Sequence, residues 1–181
     1  PEGQKVGNAW DPSTDGSCLA YGAAGLMRIP TRVRITWENE RTLKVETDAG
    51  VQTRRFLFGE SQKPAERSPQ GYSVAEWEVS APGRSGPGAG RGGPPPGQRR
   101  GSLKVTTTML SAGWLRKNGA PYSENASLTE YYDRFAAPNG EEWFAVTTIV
   151  SDPKYLNTDF VTSTHFKKEA DGSKWAPKAC K

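Results

Sequence analysis

Large aliphatic residues are scarce in this sequence. Leu, Ile, Val and Phe together number 28 of 181 residues, a share low enough that a high net charge would signal disorder. The net charge is only +4, so the composition predicts a thin core in which other residue types take part. The 6 Trp, 6 Tyr and 15 Thr are the candidates, since all three suit a pleated, half-buried sheet. No apolar run approaches the roughly 18 residues of a membrane-spanning helix. Histidine occurs once, as His165, which excludes paired-histidine metal motifs. Cysteine occurs twice, as Cys18 and Cys180, and with one histidine these cannot make an ordinary four-ligand zinc site. No metal and no cofactor are therefore expected. The chain begins at Pro1 without an initiator Met or a charged-then-apolar leader, which points to a processed or partial form.

A pI near 9.1 raises the question of nucleic acid, and the location of the charge answers it. Residues 81–101 hold Arg84, Arg91, Arg99 and Arg100 and no acid, a surplus equal to that of the whole chain. The same stretch has eight Gly and five Pro, so it can bury little and reads as an exposed insertion. Four arginines without interleaved aromatics are a weak polyanion signal, and no nucleic-acid partner is expected. Within the insertion, Gly88-x-Gly90-x-x-Gly93 spells a dinucleotide fingerprint, but Pro94-Pro95-Pro96 follows it and leaves no helix start to hold a pyrophosphate. Asp11-x-Ser13-x-Asp15-Gly16 imitates the start of a calcium loop; Gly22 stands where the bidentate Glu is needed, so a polar turn is the better reading.

Elsewhere the pattern is period-two alternation broken by turn residues. Residues 31–38 place Val33, Ile35 and Trp37 on one face, and residues 42–48 place Leu43, Val45 and Thr47 inward. Further strands are predicted at 51–58, 72–80, 102–110 (Leu103, Val105 and Thr107 inward), 127–135, 141–150 and 158–167. Residues 1–10 and 115–125 could each hold one helical turn. Eight mainly consecutive strands predict an all-β, antiparallel, up-and-down barrel, because closure removes exposed edges; a two-sheet sandwich is the alternative. The organisation expected is an extended N-terminal segment (1–30), a barrel domain (31–168) carrying the insertion at 81–101, and a C-terminal tail (169–181) stapled to the N-terminal segment. With few large aliphatics, the interior should contain Thr, Tyr and Trp around a small-molecule cavity.

The run 115–126, Leu128-Thr-Glu-Tyr-Tyr-Asp-Arg-Phe135, residues 146–155 and Phe160-Val-Thr-Ser-Thr-His-Phe-Lys-Lys-Glu169 resemble a group of exported bacterial hypothetical proteins, calycin- or lipocalin-like barrels with no assigned activity. The resemblance covers most of the chain from Trp10 onward, excludes the Arg-Gly insertion, and implies a secreted or periplasmic protein. In such a setting Cys18 and Cys180 are expected to join as a disulfide stapling the termini.

The sixth strand carries the most chemistry. Leu128, Glu130, Tyr132 and Arg134 share one face and Thr129, Tyr131, Asp133 and Phe135 the other; the Leu128 face is taken as inward. Glu130 and Arg134 are about 13 Å apart along a strand and need partners, with Arg55 and Glu76 as cross-sheet candidates. Trp143, Thr147, Thr162 and Thr164 are expected beside them, and His165 is expected to point outward. The leading functional expectation is binding of a small amphipathic or aromatic molecule by Trp37, Tyr132, Trp143, Thr147, Thr162 and Thr164. A cavity enzyme, isomerase or lyase, would use Glu130 as acid or base, with Tyr132 and Arg134 stabilising negative charge. A self-associating homo-oligomeric subunit would lend residues 1–30 to a neighbour as a strand.

Overall fold

Period-two alternation builds the main sheet close to where the sequence places it. The structure, a computed structural model, describes residues 2–9, 18–59, 61–79, 101–116 and 119–180. The elements are α1 (Glu2–Asn8), a 3-10 turn (Leu19–Tyr21), α2 (Ala23–Leu26), β1 (Val33–Asn39), β2 (Thr42–Thr47), β3 (Ala49–Gly50), β4 (Gln52–Phe58) and β5 (Tyr72–Val79). They continue with β6 (Gly101–Thr108), β7 (Gly113–Arg116), β8 (Ala120–Tyr122), β9 (Ser127–Ala136), β10 (Glu142–Ser151), β11 (Phe160–Lys167) and β12 (Lys178–Ala179). The Arg-Gly insertion (apart from Gly101), its glycine motif and the calcium-like Asp11–Gly16 run lie outside the described residues. No described helix is long and apolar enough to cross a membrane.

Eight strands form one sheet in the order β1-β2-β4-β5-β6-β9-β10-β11, curled into a half-barrel. The all-β class is as expected; the closed, wholly antiparallel barrel is not. β1 and β11 end the sheet and are not paired with each other. β4 and β5 run parallel, Phe56 opposite Ser73 and Phe58 opposite Ala75. The cause is the connection 59–71. It is long enough for the crossover of about a dozen residues that parallel pairing needs, so it carries the chain back along the sheet instead of turning it as a hairpin. The Thr47–Gln52 connection folds tightly. Gly50 has φ of +78° and an added Cβ would lie 2.2 Å from the Tyr21 ring, so only glycine fits there.

Two further expectations are corrected. β7 and β8 pair as an antiparallel hairpin in the region where 115–125 could hold a helical turn; Pro121 disfavours helix, and Gly119 has φ of +79°. Residues 18–30 are not extended: the 3-10 turn and α2 are buried, with Ala23, Ala24, Leu26 and Met27 at most 2 % exposed. They lie close to the hairpin because Gly22 and Gly113 leave room for the Tyr122 hydroxyl, which added Cβ atoms would meet at 2.3 and 2.6 Å.

The tail returns as expected. β12 pairs with β3, Trp175 stacks under Arg34 at 4.3 Å, and Cys180 forms a disulfide with Cys18. Asp48 is the local hub: it accepts hydrogen bonds from the Thr31 hydroxyl, the Arg32 amide and guanidinium, and the Ala176 amide.

These covering segments divide the concave face in two. At the end where β9 begins and β10 finishes, Leu128 and Val150 pack with α2, Leu115 and Tyr122. At the end where β5 finishes and β6 begins, Trp37, Phe58 and Trp77 line the concave face, and both tryptophans are exposed.

Candidate functional site

Two strands each bury one charge on their inner face. On β4 the buried alternation is Arg54, Phe56; on β9 it is Leu128, Glu130, Tyr132. The curl of the sheet brings the two charges together. Glu130 Oε1 accepts from Arg54 Nη1 at 2.9 Å and Oε2 accepts from Arg54 Nη2 at 2.6 Å. Tyr132 Oη donates to Glu130 Oε1 at 3.3 Å, and Arg54 Nη2 also donates to Thr107 Oγ1 at 3.1 Å. The Thr107 hydroxyl in turn meets Ser73 Oγ at 2.8 Å. Both charged side chains are fully enclosed. Burial opposes the Arg54 charge, but the Glu130 carboxylate outweighs it and raises the guanidinium pKa above its ordinary value. Burial, aided by Glu130, pushes the Tyr132 phenol well up, and burial pushes Tyr122 up to about 12. All three groups are thus held in one protonation state across the physiological range.

The inward choice for the Leu128 face is right, and the partners differ from those expected. Glu130 pairs with Arg54, one residue from the candidate Arg55, which lies on the outer face bound to Glu38 at 2.7 Å. Glu76 pairs with Lys104. Arg134 does not join Glu130 and Tyr132: its side chain is 80 % exposed and bound to Glu142 at 2.9 Å. The trio proposed for catalysis therefore does not converge. Arg54 was legible as a lone cation on a strand face shared with Phe56 and Phe58, a pattern that demands a buried acid.

The expected ligand-binding residues also separate. Tyr132 pairs with Val146, and Thr164 and Thr162 pair with Val146 and Thr148, so Tyr132, Thr162 and Thr164 share the concave face. Trp143 and Thr147 pair with Phe135 and Tyr131 and lie on the outer face, a consequence of strict alternation from the buried Val146 and Thr148. His165 points outward as expected, edge-on to Phe135 at 6.2 Å.

Trp37 is on the concave face, at its open end. Its ring centroid is 5.3 Å from that of Phe58, which stacks on Trp77 at 6.0 Å with planes 25° apart. Trp37 and Trp77 are 54 % and 56 % exposed. Behind this row, Phe56, Tyr132, Phe144 and Phe166 continue as successive ring pairs with centroids 5.5, 6.3 and 4.9 Å apart. Sequence reasoning missed Phe58 and Trp77 as neighbours of Trp37, because the parallel β4–β5 register that brings them together depends on the crossover. No family model matches the chain, and neither a curated protein nor a solved structure matches it.

Proposed function

We propose that this half-barrel binds a small planar aromatic or amphipathic molecule at the open end of its concave face. The observation that carries this reading is the row Trp37–Phe58–Trp77, in which two tryptophans expose more than half of their surface on the inner side of the sheet. Core packing alone does not require indoles there, and a stacked aromatic row offers faces to a planar ligand at little conformational cost. Arg134 stands at the same end of β9 and can meet a polar group. The Cys18–Cys180 disulfide fits an oxidising compartment, so the protein is read as acting after export.

Binding is preferred to catalysis because the acid an enzyme would use, Glu130, is enclosed and both its oxygens are held by Arg54. It is preferred to strand donation by residues 1–30 because Ala20–Leu26 is built into the chain's own core. A fluorescence titration with 1-anilinonaphthalene-8-sulfonate tests the reading. Saturable binding is expected, weakened about tenfold in Trp77→Ala and restored by Trp77→Phe, which keeps a stacking face. Equal binding by a Trp37→Ala/Trp77→Ala protein defeats it.

A further inference from the structure

A second feature lies away from the aromatic row, where α2 runs into β1 and meets β7. Arg28 and Arg116 both sit over the Phe160 ring, with guanidinium carbons 5.1 and 5.5 Å from its centroid. Arg28 Nη1 donates to the Leu115 carbonyl at 2.6 Å, which fixes its head beside β7. Among the described residues neither arginine has a carboxylate partner, whereas Arg32, Arg54, Arg55, Arg67 and Arg134 all do. Two cations close to one ring repel each other, and no carboxylate among the described residues offsets that repulsion. Partial burial and the nearby Arg116 charge both hold Arg28 below its ordinary arginine value. Both arginines line a pocket of about 240 Å³, whose other lining residues are Ala20, Gly25, Ile29, Pro30 and Leu115.

We propose that Arg28 and Arg116 form a binding site for the carboxylate of a small, partly apolar organic acid. A guanidinium presents parallel N–H donors that match the two carboxylate oxygens. An anion here would replace cation–cation repulsion by attraction at both arginines. The Ala20, Ile29, Pro30 and Leu115 walls suit a short hydrocarbon body, and the volume admits a ligand below drug size. The site uses none of the residues of the aromatic row and stands or falls independently of it.

Isothermal titration with benzoate on the intact, oxidised protein tests the assignment, with benzyl alcohol and inorganic phosphate as comparison ligands. Benzoate should bind saturably and benzyl alcohol should not. Arg116→Gln, a change at an exposed side chain, should weaken benzoate about tenfold, the equivalent of one charge-assisted hydrogen bond, while leaving the unliganded melting temperature near that of the parent. Arg28→Gln should weaken it at least as much, and Trp77→Ala should leave it unchanged. The assignment is overturned by any of three results: no benzoate binding, benzoate binding unchanged in Arg116→Gln, or phosphate binding as tightly as benzoate.

Discussion

At the covered end of the concave face Arg54 and Glu130 are enclosed completely, whereas at the open end Trp37 and Trp77 leave more than half of their surface to water. The usual distribution of polar and apolar groups is thus reversed between the two ends. A chain short of Leu, Ile and Val fills the first with a buried ionic network and leaves the second lined with rings. The covered end is specified by pairing, since both Arg54 Nη atoms and the Tyr132 hydroxyl have their geometry set by an acceptor. The open end is specified by stacking, which tolerates loss of one ring. Disturbing each end in turn should expose that difference.

The largest effect is expected from Glu130→Ala, which leaves the Arg54 guanidinium buried without its acid. Breaking one side of a buried pair costs about 3–5 kcal/mol, enough to remove much of the stability of an ordinary domain. Urea denaturation should show a strongly lowered midpoint. The double variant Arg54→Met/Glu130→Leu should recover most of the loss, since an apolar replacement of both partners removes the uncompensated charge. If the double variant is no better than the single one, the network contributes more than charge compensation and the contrast between the ends is overstated.

Next in size is the covalent link between the N-terminal covering segment and the tail. Cys18 and Cys180 join segments 162 residues apart, and removal of such a link costs about 2–5 kcal/mol. Reduction, or Cys18→Ser with Cys180→Ser, should therefore lower the urea midpoint. Hydrogen exchange should rise first in Leu19–Leu26 and β12 rather than along β9 and β10, because the link joins the segments that carry the first two elements.

Much of this architecture was readable in advance. Each of the eight main strands was visible as an alternation of two, and Leu43, Val45, Leu103, Val105, Leu128 and Tyr132 are buried as that period requires. The Cys18–Cys180 pairing was legible from position. What local pattern does not encode is direction and register across long connections. Residues 59–71 carry turn formers whether they make a hairpin or a crossover, so the parallel β4–β5 pair, and with it the Phe58–Trp77 stack, was not legible. The same limit put Trp143 and Thr147 on the wrong face, since a shift of one residue on β10 inverts every side chain. Arg54 could have been singled out without the structure, as the one charge on its strand face, whereas Glu130 shares its face with Arg134 and its partner was not legible from that face alone.

A smaller effect belongs to Asp48, which ties the covered end to the tail. Burial works against its charge, but the Arg32 and Ala176 amides, the Thr31 hydroxyl and the Arg32 guanidinium outweigh burial and hold its carboxyl below the usual range. A depressed folded-state pKa contributes stability that is fully present above the unfolded-state value, about 3.9, and is lost as pH falls through the lower folded value. The urea midpoint should therefore decline below about pH 4. Asp48→Asn should cost about 2 kcal/mol at neutral pH through weakened hydrogen bonds and make the acid slope shallower. Glu38, Glu141 and Glu142 titrate in the same window through surface pairs with Arg55, Lys167 and Lys168. Raised salt screens these pairs more than it screens the buried hub, so the difference in slope should persist in high salt.

The smallest stability change is expected where the functional change is largest. Trp77→Ala removes a ring that is already 56 % exposed and touches Phe58 on one side, so about 1 kcal/mol or less should be lost. Phe58 remains packed against the buried cluster of Phe56, Leu103 and Tyr132, and the sheet needs no rearrangement to keep it there. Binding of the aromatic probe should nevertheless fall about tenfold, because half of the stacking row is gone. A side chain that only filled space would show the opposite proportion, with stability falling and binding following it. Measuring both quantities on Trp37→Ala and Trp77→Ala therefore separates an aromatic surface kept for a ligand from one left over by a sheet that failed to close.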